Sequence, residues 1–439
     1  MTSLPSVAII GAGPCGLAAC KALSQTGIAF DCFEAGSEIG GIWNVGTRPG
    51  GYRSLMTNTS NPNMAFPDFP FEDKDPTYLT AAELCNYFRR YVRHFGFVDN
   101  IHVDSRLVSA SKDSTGRWNL RFENGDTRQY DALVVATGQY RRPRNPHDSF
   151  PGHFSGEHLH SHDYFDVAKP IDMRDRRVLV VGLGTSAAEI AAELSDPEHA
   201  DGHASLVAMA IRSGRWVLPK IANGEPTDGK APHSAEPPPG VLKSLPTSVG
   251  TFLARRVMGK GLKALSDACG GHTALGLPEP SLAPWEDRPT LSFDFIPALQ
   301  AGRIDVRPGI ERFDGKTVRF TDGSSAQIDV IVYATGYDMD IPFLSKEVLG
   351  STPNDLCLYQ RIAHPTQDNL FFIGYCKVMC ALWPVAEQQS RWLAKVLTGS
   401  IRLPDQRSRK RRAIAVRHTL PVMCNMYVED LRREAGGTL

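Results

Sequence analysis

Two glycine-rich turns hold the chemistry open to this chain. The first, Gly11-Ala12-Gly13-Pro14-Cys15-Gly16, follows the short apolar run Val7–Ile10. The second, Gly182-Leu183-Gly184-Thr185-Ser186-Ala187, follows Arg177–Val181. In such a turn the first glycine makes the bend. The second lets backbone approach a pyrophosphate, and the third lets helix and strand pack closely. The N–H groups opening the next helix then face the phosphates. Ala187 in the third place still allows close packing. Glu34 closes the apolar run Phe30–Glu34, where it can accept from a ribose hydroxyl. After the second turn, Leu206–Ile211 ends instead in Arg212-Ser213. An acid there would repel a 2′-phosphate; Arg212 can hold one by charge and a two-pronged hydrogen bond. Two dinucleotides are expected, the second of them NADPH.

Other polar residues qualify this picture. Gly40-Gly41-Ile42-Trp43-Asn44 puts a double glycine beside Trp43, which suits backbone lying close to a flat ring system. Asn58 stands within the irregular stretch Tyr52–Ser60, and its amide can donate and accept at once. Cys376 and Cys380 are spaced C-x3-C, and no C-x-x-C exists, which argues against a dithiol redox centre. The His158-Leu159-His160-Ser161-His162 run invites a metal reading, but no His/Cys cluster has metal-site spacing and no metal is expected. No nucleophilic triad or acid/base pair stands out.

The elements that must position these residues are α/β. Each glycine turn reads as strand, turn and helix, with helices over Leu17–Gln25 and Ala188–Leu194. Thr80–Phe95 reads as an amphipathic helix with a Thr80/Glu83 capping box and a core-facing stripe from Leu84 to Phe95. An eighteen-residue repeat is informative: RFENGDTRQYDALVVATG at Arg121–Gly138 and RFTDGSSAQIDVIVYATG at Arg319–Gly336. Each copy reads as a hairpin, an Asp, a buried strand and Ala-Thr-Gly, one copy per nucleotide-binding domain. The Ala-Thr-Gly turns fall where doubly wound sheets bind ligands and where chains cross between domains. The stretch Asn223–Trp285 breaks the α/β rhythm with prolines and a helical patch at Thr251–Ala268, and reads as an insertion over the cleft or at a subunit contact. Asn369–Gly374 reads as a strand, with a helix beginning near Pro384.

The bulk composition is that of a globular enzyme. The 439 residues are 42% hydrophobic and 22% charged, and 48 basic residues balance 48 acidic ones. This zero net charge gives no electrostatic case for a nucleic-acid or membrane partner. No apolar run is long enough to span a bilayer. The basic run Arg407, Arg409, Lys410, Arg411 and Arg412 reads as a solvated helix face. Nine cysteines without a leader suit a reduced, cytoplasmic setting.

The combination resembles the flavin-containing monooxygenases, of the class B flavoprotein type. Their linking signature F-x-G-x-x-x-H-x-x-x-Y/F stands here as Phe154, Gly156, His160 and Tyr164. GAGPCG, GGIWN, GLGTSA, ATGY, FFIGY and PVAEQQSRW resemble further family elements, together covering about Val7 to Gly399. Baeyer–Villiger relatives end the linking signature in Trp, where Tyr164 stands. The charged C-terminal tail resembles the soluble bacterial members.

The resemblance implies two Rossmann-like domains. An FAD domain is made of residues 1–165 and 320–439; an NADPH domain spans 166–319, with the insertion at 223–285. It assigns Gly11, Gly13, Pro14, Cys15, Gly16 and Glu34 to FAD, with Gly41, Trp43, Asn58, Leu107, Thr137 and Gly138. It assigns Tyr164, Gly182, Gly184, Thr185 and Ser186 to NADPH, with Arg212, Ser213, Thr335 and Gly336. The implied reaction passes hydride from NADPH to FAD and adds O2 to give a C4a-hydroperoxide, shielded by NADP+. An amine nitrogen or sulfide sulfur of a small molecule is then oxygenated, with Asn58 as the catalytic residue. A homodimer is a family-level expectation. The Phe154–Tyr164 segment is expected to be the covalent joint between the domains.

Overall fold

The computed structural model describes residues 4–47, 49–229, 247–350, 352–416 and 420–437. Two five-stranded parallel sheets organise it. The first runs Leu370–Phe372, Ala132–Val135, Val7–Ile10, Phe30–Phe33, Ile101–His102. The second runs Glu157–His160, Val330–Tyr333, Arg177–Val181, Leu206–Ala210, Ile304–Arg307. Helices cover one face of each sheet and antiparallel strands cover the other, so the central strands Val7–Ile10, Ala132–Val135 and Val330–Tyr333 are buried throughout and read as unbroken apolar runs.

The repeat builds the same part of each domain. Its hairpins turn at Gly125 and Gly323, both left-handed, and its buried strand lies beside the nucleotide strand. Asp131 accepts from the backbone N–H of Ser6 at 2.8 Å, just before the first nucleotide strand. Asp329 accepts from that of Arg177 at 3.1 Å, where the second begins. The two aspartates thus peg equivalent strands. Helix Ala81–Phe95 has both arms of the Thr80/Glu83 capping box and stops at left-handed Gly96. Lys21 of helix Pro14–Gln25 pairs with Glu387 of helix Leu382–Leu397 at 2.8 Å, both fully buried, with Arg391 on the same carboxylate at 2.6 Å.

Several expectations change. Both helices after the glycine turns begin earlier, at Pro14 and Thr185, because proline suits a first helical position and Gly13 and Gly184 cap them. Glu157–His160 and Val330–Tyr333 pair with the second nucleotide sheet, although boundaries at 165/166 and 319/320 leave both with the first domain. Phe154–Tyr164 is therefore no free joint: it contains the edge strand of the second sheet. The crossings lie beside the Ala-Thr-Gly turns, where Arg142–Pro143 pairs antiparallel with Tyr337–Asp338 and Arg144 N–H donates to Gly336 at 2.9 Å. Arg409 is buried and ion-paired with Asp368, so the basic run is not wholly a solvated face. Cys380 and Cys424 form a disulfide in place of two reduced thiols. The insertion supplies helix Thr247–Ala268, packed against helix Cys424–Glu434; its PPPG stretch lies outside the described residues. Among the described residues no helix is long and apolar enough to cross a membrane.

Gly11 has φ +104°, and a Cβ there would lie 2.7 Å from the Ala136 carbonyl oxygen. Gly11→Ala is expected to cost about 1–3 kcal/mol, read as a lower denaturation midpoint and reduced flavin content after purification. Gly261→Ala, in a helix with open space around it, should leave both unchanged or slightly raised.

Candidate functional site

The first glycine turn is held from below by an acid. Buried Glu34 accepts the backbone N–H of Ala12 at 2.9 Å through one oxygen and that of Gly36 at 2.8 Å through the other. The turn is closed from above by the double glycine: Gly40 N–H donates to the Ala12 carbonyl at 2.9 Å. A Cβ on Gly41 would come within 3.2 Å of the Gly13 Cα. Thr137 lies against Gly11, and its hydroxyl meets the Tyr375 hydroxyl at 2.8 Å. Gly374 sits against the Cys15 sulfur, and its N–H donates to Gln389 Oε1 at 2.9 Å. Gly11, Gly13, Cys15, Gly16, Gly41 and Thr137 therefore converge, and Pro14 opens the helix that points at them. Trp43 meets Trp383 edge to face at 6.1 Å. Gly138 is exposed and left-handed at the crossing. Leu107 stands apart, its side chain in the core with Ile10, Phe33 and Phe122.

Among the described residues, Asn44 Nδ2 and Trp383 Nε1 beside this cradle, and Asn58 Oδ1 on the loop after Tyr52, are buried polar atoms with no hydrogen-bond partner. Buried polar groups are normally paired. A flavin ring system, with donors and acceptors along its edge, fits these atoms, and the glycine floor fits a pyrophosphate.

The second turn is built alike. Gly182 has φ +128°, and its Cβ would lie 2.6 Å from the Ala334 carbonyl oxygen. Gly184 caps helix Thr185–Leu194 with no side-chain bond, leaving its first N–H groups open. Arg212 and Ser213 are exposed beside it, and among the described residues Arg212 has no acidic partner. The sequence reading missed Arg215. Its Nη1 is 3.5 Å from where a Gly184 Cβ would stand. Its guanidinium pairs with Asp287, which also pairs with Lys377 at 2.5 Å. Thr335 donates to the Arg144 carbonyl, so Thr335 and Gly336 brace the crossing.

Asn58 lies on a loop gripped by both domains: Thr57 N–H donates to the Leu79 carbonyl of the first at 2.9 Å, and the residues before it reach the second. Gly50 N–H donates to His162 at 2.7 Å, and Arg53 N–H to Phe165 at 2.8 Å. Tyr52 bonds to Glu189 and Ser54 to Glu193, both on the helix after the second turn. Tyr164 is buried in the second domain's core, edge to face with Tyr52 at 6.2 Å; burial and the Glu193 carboxylate hold its hydroxyl well above the ordinary tyrosine range. Of the three histidines, His160 and His162 both lie against Tyr337, and His158 faces elsewhere. His158 stacks on His147 at 3.6 Å, while the His160 ring abuts Tyr337. Burial, with His162 adding to it, depresses His160 from 6.5 to about 4.

Comparison with known proteins assigns this arrangement. Residues 5–424 match the FMO-like family, described as flavin-binding monooxygenase-like. The chain belongs to that family. A dimethylaniline monooxygenase (N-oxide-forming) 2 of Rattus norvegicus is 32% identical, over 91% of this chain and 74% of its own length. The structure of S-allyl-L-cysteine S-oxygenase from Allium sativum superposes with TM-score 0.68 at 23% identity, covering 98% of this chain and 88% of its own. The crystal structure of OTEMO in complex with FAD and NADP gives TM-score 0.71 at 17% identity, covering 98% of each chain. Two Rossmann-type domains are thus the fold this flavin-binding family shares.

Arg212→Ala is expected to raise the NADPH Michaelis constant at least about tenfold, the loss of one charge-assisted contact, and to leave that for NADH nearly unchanged. Steady-state kinetics with both nucleotides read this directly. The depressed His160 means the unfolded chain binds more protons between about 4 and 6.5. Its stabilising effect is complete above that window and is lost as pH falls through it. Denaturant midpoints of the parent should therefore drop between those pH values, and His160→Gln should show a shallower drop.

Proposed function

We propose that this chain is an NADPH- and O2-dependent flavin monooxygenase that oxygenates a soft heteroatom, an amine nitrogen or a sulfide sulfur, of a small molecule. The observation that carries the reading is Asn58. Its carbonyl oxygen is buried and has no hydrogen-bond partner among the described residues, on a loop held between the FAD-type cradle, where Gly51 lies against the Ile42 carbonyl, and the helix of the second nucleotide turn. FAD, when bound, supplies the redox chemistry that takes two electrons from NADPH and activates dioxygen.

The protein's share is placement, polarity and exclusion of water. The Gly11–Gly13 turn and the N-terminus of helix Pro14–Gln25 bind the flavin nucleotide's phosphates. Glu34 receives its ribose and fixes the turn. Gly41 and Trp43 cover the cradle, with Asn44, Asn58 and Trp383 offering buried polar atoms toward the ring. The Gly182–Ser186 turn binds the second pyrophosphate, and Arg212 with Ser213 takes the 2′-phosphate. Arg215, fixed by Asp287, brings a second guanidinium to that turn. Asn58 can donate and accept on one short amide, which suits it to hold a polar oxygen beside the ring. No acid/base pair is required, because the substrate heteroatom itself is the nucleophile. Oxygenating activity in relatives named for N-oxide formation and S-oxygenation supports this choice of substrate atom. The homodimer rests on the family resemblance, and the cytoplasmic setting on that resemblance and the cysteine content.

A panel of a tertiary amine, a sulfide and a ketone, assayed for product per NADPH, tests the reading. N-oxide or sulfoxide is expected to exceed ester; dominant ester would move the enzyme to the Baeyer–Villiger class. Asn58→Ala is expected to retain FAD while product formation falls about a hundredfold, the scale of losing one preorganised polar group. Full product formation in that variant removes Asn58 from the site.

A further inference from the structure

The residues flanking Asn58 are fixed from both domains. On one side Thr57 is tied to Leu79 twice, its N–H donating at 2.9 Å and its hydroxyl accepting at 3.0 Å. On the other side Ser60 N–H donates to a carboxylate oxygen of Asp228 at 2.8 Å. Asn63 Nδ2 donates to the Asp228 carbonyl at 2.6 Å. Asp228 is separated from this loop by 168 residues of sequence. It follows a small hairpin, Ile221–Ala222 with Glu225–Pro226, that turns through left-handed Asn223 and Gly224. That hairpin leaves the domain containing the second nucleotide turn.

The base of the hairpin is itself locked. Tyr78 hydroxyl donates to the Lys220 carbonyl at 2.7 Å, and Thr227 N–H donates to the same oxygen at 2.8 Å. Lys220 is buried, bonded through Nζ to Glu189 at 3.0 Å, with its ammonium 5.0 Å from the Phe293 ring. Glu189 in turn receives Tyr52. The Tyr78 hydroxyl also lies 3.4 Å from Asp228 Oδ1, so a chain of polar contacts runs from the helix of the second nucleotide turn through Lys220, Tyr78 and Asp228 to Ser60.

We propose that Asp228 is a positioning residue for the Asn58 amide, which the domain of the second nucleotide turn thereby places against the flavin. A carboxylate accepting from a backbone N–H is stronger than a neutral acceptor, so one contact can hold a loop that forms no regular element. Occupation of the second nucleotide site and placement of Asn58 are then linked through helix Thr185–Leu194. The inference rests on the reading of Asn58 as the residue beside the reacting oxygen.

The test uses the FAD-loaded full chain. Asp228→Ala is expected to retain FAD, to raise amide hydrogen exchange at residues 57–63 about tenfold, and to raise severalfold the share of consumed NADPH that appears as hydrogen peroxide. Asp228→Asn keeps an acceptor oxygen and should restore both readouts most of the way. Ser60 has φ −65°, which proline adopts without strain; Ser60→Pro removes the same hydrogen bond from the loop side and should reproduce Asp228→Ala. Unchanged exchange in both Asp228→Ala and Ser60→Pro overturns the proposal. So does raised exchange with unchanged peroxide release, which leaves Asp228 a purely structural anchor. If the parent enzyme oxygenates no amine or sulfide, the functional reading fails separately, and the exchange result alone decides whether Asp228 holds the loop.

Discussion

The close approach of two glycines to two carbonyls governs the rest of the molecule. Gly11 lies against the carbonyl of Ala136, and Gly182 against that of Ala334, with no room at either for a Cβ. Each approach brings a nucleotide turn onto the end of the neighbouring strand, at the Ala-Thr-Gly of the internal repeat. The N–H groups that open the two following helices and the interdomain crossing are thereby brought to the same sheet end. This is where doubly wound sheets bind ligands. The repeat has a physical meaning in consequence: each copy supplies the hairpin, the aspartate that pegs the nucleotide strand and the carbonyl that meets its glycine.

What could be read in the sequence follows from how local each constraint is. A glycine turn, a capping box and a hairpin are set within a few residues, so GAGPCG, GLGTSA, Thr80/Glu83 and the Asn-Gly and Asp-Gly turns were legible. Burial on both faces made the central strands visible as apolar runs. Sheet membership was not local. Glu157–His160 and Val330–Tyr333 join the second sheet because of the partners they find, and that moves the boundaries to the crossings beside the two Ala-Thr-Gly turns. Arg409 read as a surface charge because its partner, Asp368, lies far from it in sequence.

The site divides the same way. The residues of the two turns, and Arg212 after its strand, carry a pattern. Arg215, Asp287 and Lys377 carry none, since their ion pairs join three distant segments. The same holds for Asp228 and Ser60. The linking segment Phe154–Tyr164 gains a sharper role from these contacts. Its strand edges the second sheet, and backbone carbonyls at His162 and Phe165 receive the loop that leads to Asn58. The His160 ring stands against Tyr337 at the crossing, where it packs the joint without needing a charge. Burying a neutral imidazole there costs less than burying a charged one.

The central claim is that the second nucleotide turn serves the first, passing electrons from NADPH to a flavin held over Gly11–Gly41. Anaerobic mixing of the FAD-loaded protein with NADPH, followed through the flavin's visible absorbance, tests this most directly. The account predicts complete bleaching with one NADPH per flavin, at a rate that saturates with NADPH and is slower with NADH at equal concentration. A flavin that stays oxidised under saturating NADPH would contradict it.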